Sequence, residues 1–149
     1  MLYPLSYEGS AEAILGERAG KPRIGGVVGT VLVVDDDPVI QRLLRVNFEM
    51  EGYDVIVAGD GVDGLERARA EHPDIVVLDI MMPRMSGLDV AKALKADPDT
   101  ASIPVLLLSA KAQEADLQAG DESGADGYLT KPFDPLQLLQ RVEQLLTKR

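Results

Sequence analysis

Cysteine is absent from this chain of 149 residues, which removes disulfides, thiolate metal sites and cysteine nucleophiles at once. The absence also fits a reducing compartment. Long apolar runs are missing too. The longest, Val27 to Val34, is broken by Gly29 and is the size of a strand, far short of a membrane span. No basic start followed by an apolar core opens the chain, so a secretory signal is not read there and the expected location is the cytoplasm. Positive charge is scarce: Lys and Arg total 15 against 25 Asp and Glu, a formal net charge of −10. Such a balance repels phosphate backbones, and no Lys/Arg cluster breaks it, so direct contact with nucleic acid is not expected. Histidine occurs once, as His72 ahead of Pro73, in what reads as a surface loop with a structural or neutral role.

What remains is an apolar fraction of 46% in a chain long enough for one domain with a real core. Residues 1 to 29 mix Pro, Gly, Ser and isolated charges around one short helix-like piece near Glu12 to Ala19, and read as a flexible extension. The Gly25-Gly26-x-x-Gly29 cluster precedes a strand rather than following one, which makes it a hinge rather than a phosphate loop. From residue 30 to 149 the pattern is that of one domain.

Val31 to Val34 is an aliphatic run too short for a helix, a strand buried on both faces. Asp37-Pro38 then supplies an N-cap and a proline at the first helical position. Val39, Leu43, Val46 and Met50 follow at helical spacing, and Gly52 ends the helix. Tyr53 to Ala58, Ile75 to Leu78, Ile103 to Leu108 and the short Tyr128-Leu129 piece continue the strands. Helices are expected after Asp60, over Leu88 to about Ala96, over about 112 to 123, and after Asp134-Pro135, where Leu138, Val142, Leu145 and Leu146 form one stripe. Short aliphatic strands alternating with helices imply an α/β fold, a doubly wound parallel sheet with helices on both faces.

In such sheets ligands bind beyond the carboxyl ends of the strands. The first strand finishes in Asp35-Asp36-Asp37, the third in Asp79, the fourth in Ser109, and Lys131 follows the fifth. Asp35, Asp36 and Asp79 would bring about three negative charges together, and each pair roughly 4 Å apart costs about 4 kcal/mol at an effective dielectric near 20. Lys131 offsets one charge and a divalent cation would balance the rest. Oxygen ligands select a hard cation, and one or two carboxylates with waters and phosphate oxygens suit magnesium. Without it, a carboxylate here should hold protons more readily than usual. A carboxylate beside a metal and an ammonium is also a competent nucleophile towards phosphorus. Three equatorial oxygens in transfer would find the metal, the Lys131 ammonium, and the Ser109 hydroxyl with a nearby N–H. Ala110 leaves room for a bulky donor.

The segments VLVVDDDP, VVLDIMMPRMSG, LLLSAKA and GADGYLTKPF resemble, in order and spacing, the signatures of response-regulator receiver domains, over residues 31 to about 147. The resemblance implies a flavodoxin-like five-stranded sheet of order 2-1-3-4-5. It implies Asp79 as phosphoacceptor, with Asp36 as a direct magnesium ligand, Asp35 acting largely through water, and the Met81 carbonyl completing the protein ligands. Ser109 and Lys131 take the family's hydroxyl and lysine positions, Tyr128 its switch aromatic, and Lys131-Pro132 a cis peptide. A sensor histidine kinase or histidine phosphotransfer protein is the implied donor, and the only reactions implied are the domain's own phosphorylation and dephosphorylation. The implied output is a downstream partner, or self-association, on the face of the helix near 112 to 123, the fifth strand and the last helix. There, Ser109 drawn toward the phosphoryl group would make space for Tyr128 to turn inward.

Each residue alone has a plainer reading. Asp37 is a helix cap, and Asp35 and Asp36 on their own would be a capped strand end. Ser109 would be a loop serine, Lys131 a solvated lysine, and Tyr128 an amphipathic packing residue. Met81, Met82 and Met85 make a packing loop rather than a copper site. Asp35-x-Asp37-x-Val39 also matches the opening of haloacid-dehalogenase-type phosphatases, which form an aspartyl phosphate, but nothing after Lys131 supplies their later acidic pair. A flavin carrier of this topology would want a Ser/Thr/Gly-rich loop where the three aspartates stand. No second folding pattern follows the last helix, so the chain is expected either to act alone through its surface or to be a piece of a longer regulator.

Overall fold

The computed structural model describes residues 29–110, 118–119 and 121–147. Five parallel strands, β1 (Thr30–Val34), β2 (Asp54–Ala58), β3 (Ile75–Asp79), β4 (Val105–Ser109) and β5 (Gly127–Thr130), form one sheet in the order β2-β1-β3-β4-β5. This is the expected order. Four helices lie among the described residues: α1 (Pro38–Met50), α2 (Gly61–Glu71), α3 (Gly87–Ala96) and α4 (Pro135–Thr147). Of the helix expected near 112 to 123, Gln118, Ala119, Asp121 and Glu122 are helical; the rest of it, like the extension before Gly29, lies outside the described residues.

Alternation along the strands divides the core in two. Val31, Val33, Val55, Ile75, Val77, Leu106 and Leu108 face α1 and α4, where Leu44, Phe48, Leu138, Val142 and Leu145 meet them. Leu32, Val34, Val76, Leu78, Val105 and Leu107 face the other way, onto Ala68 of α2 and Val90, Ala91 and Leu94 of α3. The central strands β1, β3 and β4 are therefore buried on both faces, as continuous aliphatic runs require.

The expected caps are present. Asp37 accepts from the Val39 N–H at 2.9 Å with Pro38 opening α1, Asp60 accepts from Asp63 N–H at 2.8 Å, and Asp134 accepts from Leu136 N–H at 3.0 Å. His72 is the left-handed cap of α2, with φ 47°, a position that glycine or asparagine usually takes.

The packing of α1 differs from the simplest reading of its sequence. Its buried stripe is Ile40, Leu44 and Phe48, whereas Val39, Leu43, Val46 and Met50 are 72%, 41%, 47% and 78% exposed. Both sets recur at helical spacing. Phe48 decides the phase, because it is fully buried and stacks edge-on against Tyr53 with ring centroids 5.8 Å apart. The result is a helix with a second apolar face turned to solvent.

Candidate phosphoacceptor site

The carboxyl ends of β1, β3 and β4 meet at one rim. Hydrogen bonds across the sheet carry the chain to it: Asp35 N–H donates to the Ala58 carbonyl at 3.1 Å and Ile80 N–H to Leu108 at 3.0 Å. Carboxylate oxygens of Asp35, Asp36 and Asp79 come within 4.8 Å of one another. Asp35 and Asp79 are buried and Asp36 is exposed. Aliphatic strands set the two buried acids in a poorly hydrated wall, and the chain's exit from β1 turns the third outward.

Lys131 arrives from the far side of the sheet. Its backbone N–H donates to the Ser109 carbonyl at 2.7 Å, which extends the β4–β5 pairing by one step. Its Nζ lies 3.1 Å from Asp35 Oδ2 and 3.5 Å from Asp79 Oδ1. The Lys131-Pro132 bond is cis. Asp35 also accepts from Asp37 N–H at 2.9 Å through its other oxygen. One Asp35 oxygen thus meets Lys131 and the other a backbone N–H.

Burial raises the Asp79 carboxyl above the ordinary carboxylate range, and the Asp35 charge adds to this; Lys131 and the Met81 N–H oppose it. Burial also works against the charged form of Lys131, but the hydrogen bond and charge of Asp35, with those of Asp79, outweigh it and raise its pKa. The site thus holds one ammonium against two buried carboxylates and a third exposed one. The donors are all oxygen, which suits a hard divalent cation and excludes a soft one.

Ser109 is buried at the end of β4, beside exposed Ala110. A cavity of about 560 Å³ opens next to it, lined by Asp36, Ile80, Met81, Met82, Pro83 and Ser86, among others. Met81 is largely exposed, whereas Met82 and Met85 pack on the core, in keeping with a packing role. Tyr128 is half-buried in β5, opposite Leu107 and against the α2/α3 side of the core.

The loop from Ile80 to Gly87 is tightly drawn. Gly87 N–H donates to the Ile80 carbonyl at 3.0 Å, and a Cβ on Gly87 would lie 2.3 Å from the Asp79 carbonyl oxygen, so only glycine lets α3 start this close to the Asp79 backbone. Two contacts here were not legible in the sequence. Gln41 Nε2 donates to the Asp35 carbonyl from one turn into α1. Arg84 Nη2 lies 2.6 Å from Asp60 Oδ2, across 24 residues. No motif marks either pair.

Residues 31–143 match the family model described as the response regulator receiver domain. The chain belongs to that family. Among curated proteins it is similar to the DNA-binding dual master transcriptional regulator RpaA of Synechocystis sp., 48% identical over 118 residues, covering 79% of this chain and 49% of the relative. It is 45% identical to the alkaline phosphatase synthesis transcriptional regulatory protein PhoP of Bacillus subtilis, covering 79% and 48%. The chain spans about half the length of these curated relatives. Among solved structures it is similar to the Francisella response regulator 1452 receiver domain, with 37% identity, TM-score 0.75 and coverage of 80% and 98%. Chemotaxis protein CheY4 of Vibrio cholerae gives 31% identity, TM-score 0.76 and coverage of 80% and 99%. The chain is thus a receiver domain of the two-component type, and these matches favour that family over the haloacid-dehalogenase-type reading.

Proposed function

We propose that this receiver accepts a phosphoryl group on Asp79 from a phosphohistidine, carried by a sensor kinase or histidine phosphotransfer protein, and that the modification switches a protein-binding face. The observation that carries the reading is the Asp35, Asp36 and Asp79 cluster with the Lys131 ammonium set between two of its members. An Asp79 oxygen attacks phosphorus, the P–N bond of the donor breaks, and the imidazole nitrogen leaves with the electron pair. Lys131 neutralises charge on the incoming group, and the Ser109 hydroxyl donates to one of its oxygens. Asp36, Asp79 and the Met81 carbonyl would hold magnesium, with Asp35 acting through water; the ion supplies neutralisation of the carboxylates and the phosphoryl oxygens when bound.

The donor must approach the rim where α1 begins. The exposed stripe Val39, Leu43, Val46 and Met50 starts two residues beyond Asp37, so a protein presenting its histidine to Asp79 would cover that stripe. The donor is therefore its proposed occupant. For output, half-buried Tyr128 beside β4 supports a switch in which Ser109 moves toward the phosphoryl group and Tyr128 follows. The fifth strand, its preceding helix and the last helix would form the responding face. The curated relatives include proteins named as DNA-binding; for the residues here, with net charge −10, we keep a protein rather than a nucleic acid as the direct partner. No helix among the described residues is long and apolar enough to cross a membrane, and a cytoplasmic site of action is part of this reading. The domain is taken to begin near residue 30, with residues 1 to 29 as its extension.

Incubation with magnesium and a small acyl phosphate should label the protein with a base-labile phosphoryl group, because an aspartyl phosphate is a mixed anhydride. Asp79→Asn should abolish the label; equal labelling of that variant would show the nucleophile to be another residue.

A further inference from the structure

The loop that carries Met81 is anchored at a point the chemistry above does not use. Arg84 stands in the left-handed backbone region, with φ 69°, a conformation that a side chain with a Cβ keeps only where its surroundings hold it. Its guanidinium crosses to α2 and meets Asp60 at 2.6 Å. Asp60 is not a loose surface acid, because its other oxygen caps α2 by accepting from Asp63 N–H at 2.8 Å. The next residue, Gly61, packs directly under the loop: a Cβ there would lie 2.3 Å from the Met85 carbonyl oxygen. The helix start and the loop are therefore in contact at two adjoining points, one ionic and one steric.

The other end of the loop is tied to the site. Met81 N–H donates to the Asp79 carboxylate, and the strand-like bond from Ile80 N–H to Leu108 fixes the residue before it. Rotation of the short Met81–Arg84 segment would swing the Met81 carbonyl while leaving Asp79 in place. Arg84, held over α2, restrains that rotation together with Met85 seated on Gly61.

We propose that the Asp60–Arg84 ion pair positions the Met81 carbonyl for magnesium. Arg84 and Asp60 are positioning residues that touch neither metal nor phosphoryl group, and the inference rests on the magnesium reading of the site. An exposed ion pair with no such role would contribute little that is measurable. Charge and geometry predict opposite signs here, which makes the proposal decidable. Removing a cation from the neighbourhood of a magnesium site strengthens cation binding by electrostatics alone. Releasing the loop weakens it.

The test is magnesium titration of the unphosphorylated full chain by calorimetry, with thermal unfolding measured in parallel. Arg84→Gly removes the guanidinium and relieves the left-handed backbone, so folding should be maintained. Its magnesium dissociation constant should rise about tenfold, at the low end of what supporting partners of a metal site contribute. Arg84→Lys, which keeps a cation in reach of Asp60, should recover most of the loss. Asp36→Ala serves as the reference for a lost ligand. An Arg84→Gly affinity equal to or tighter than the parent's, while Asp36→Ala binds weakly, would overturn the positioning role and leave the magnesium reading intact. A parent chain that binds no magnesium would overturn both.

Discussion

The Lys131 ammonium lies nearer to Asp35 than to Asp79, at 3.1 Å against 3.5 Å. The lysine is therefore shared, with its closer bond to Asp35 rather than to the proposed phosphoacceptor. Burial, with the Asp35 charge added, holds the Asp79 pKa above the ordinary carboxylate range, and the shared ammonium offsets this only in part.

Lys131→Met should expose this sharing. Removing one partner of a buried ion pair costs about 3–5 kcal/mol, and because the Lys131 side chain is 20% exposed a smaller loss of about 1–3 kcal/mol is expected for the metal-free protein. Magnesium should then stabilise the variant more than the parent, because the cation takes over the missing positive charge. Melting curves with and without magnesium measure it. Equal magnesium increments in both proteins would show that Lys131 does not balance the carboxylates.

The raised Asp79 pKa makes a pH prediction. Between the ordinary aspartate pKa and the higher folded value, the folded chain holds a proton that the unfolded chain has released. Stability contributed by this group is therefore present below that window and is lost as pH rises through it. Asp79→Asn should remove this pH step and melt a few degrees higher than the metal-free parent at neutral pH. In the parent, magnesium affinity should fall as pH is lowered into the same window, because protons and the cation compete for one carboxylate. Superimposable pH–stability profiles for parent and variant would contradict this assignment.

The solvent-facing stripe of α1 separates docking from chemistry. Val46→Asp replaces a 47%-exposed side chain, so stability should stay within about 0.5 kcal/mol. Labelling by acyl phosphate should be unchanged. Transfer from the cognate phosphohistidine protein should fall at least about tenfold, the equivalent of roughly 1.4 kcal/mol of docking energy. Undiminished transfer would place the donor on another face.

Tyr128→Ala should phosphorylate at the parent's rate and lose most of the phosphorylation-dependent gain in partner binding or self-association. Analytical ultracentrifugation or pull-down of phosphorylated against unphosphorylated protein reads the gain. A variant that keeps it in full would show that the output runs through a different element.

The short aliphatic strands made the sheet and its rim readable without coordinates, because a buried parallel strand reads as a continuous aliphatic run and a charged residue that ends the run marks the rim. Asp35, Asp36, Asp79, Ser109 and Lys131 came from that pattern and from the order of their motifs. The phase of α1 could not be read the same way. Val39, Ile40, Leu43, Leu44, Val46, Phe48 and Met50 offer two helical stripes, and local periodicity weighs them alike. Only packing against β1 and the Phe48–Tyr53 contact selects Ile40, Leu44 and Phe48 for the core, which turns the other stripe outward. The bond of Lys131 to Asp35 spans 96 residues and that of Arg84 to Asp60 spans 24. Single charged residues carry no mark of their partners, so the division of Lys131 between two carboxylates and the anchoring of the Met81 loop were decided only when the sheet order brought β1, β3 and β5 and the start of α2 to the same end of the molecule.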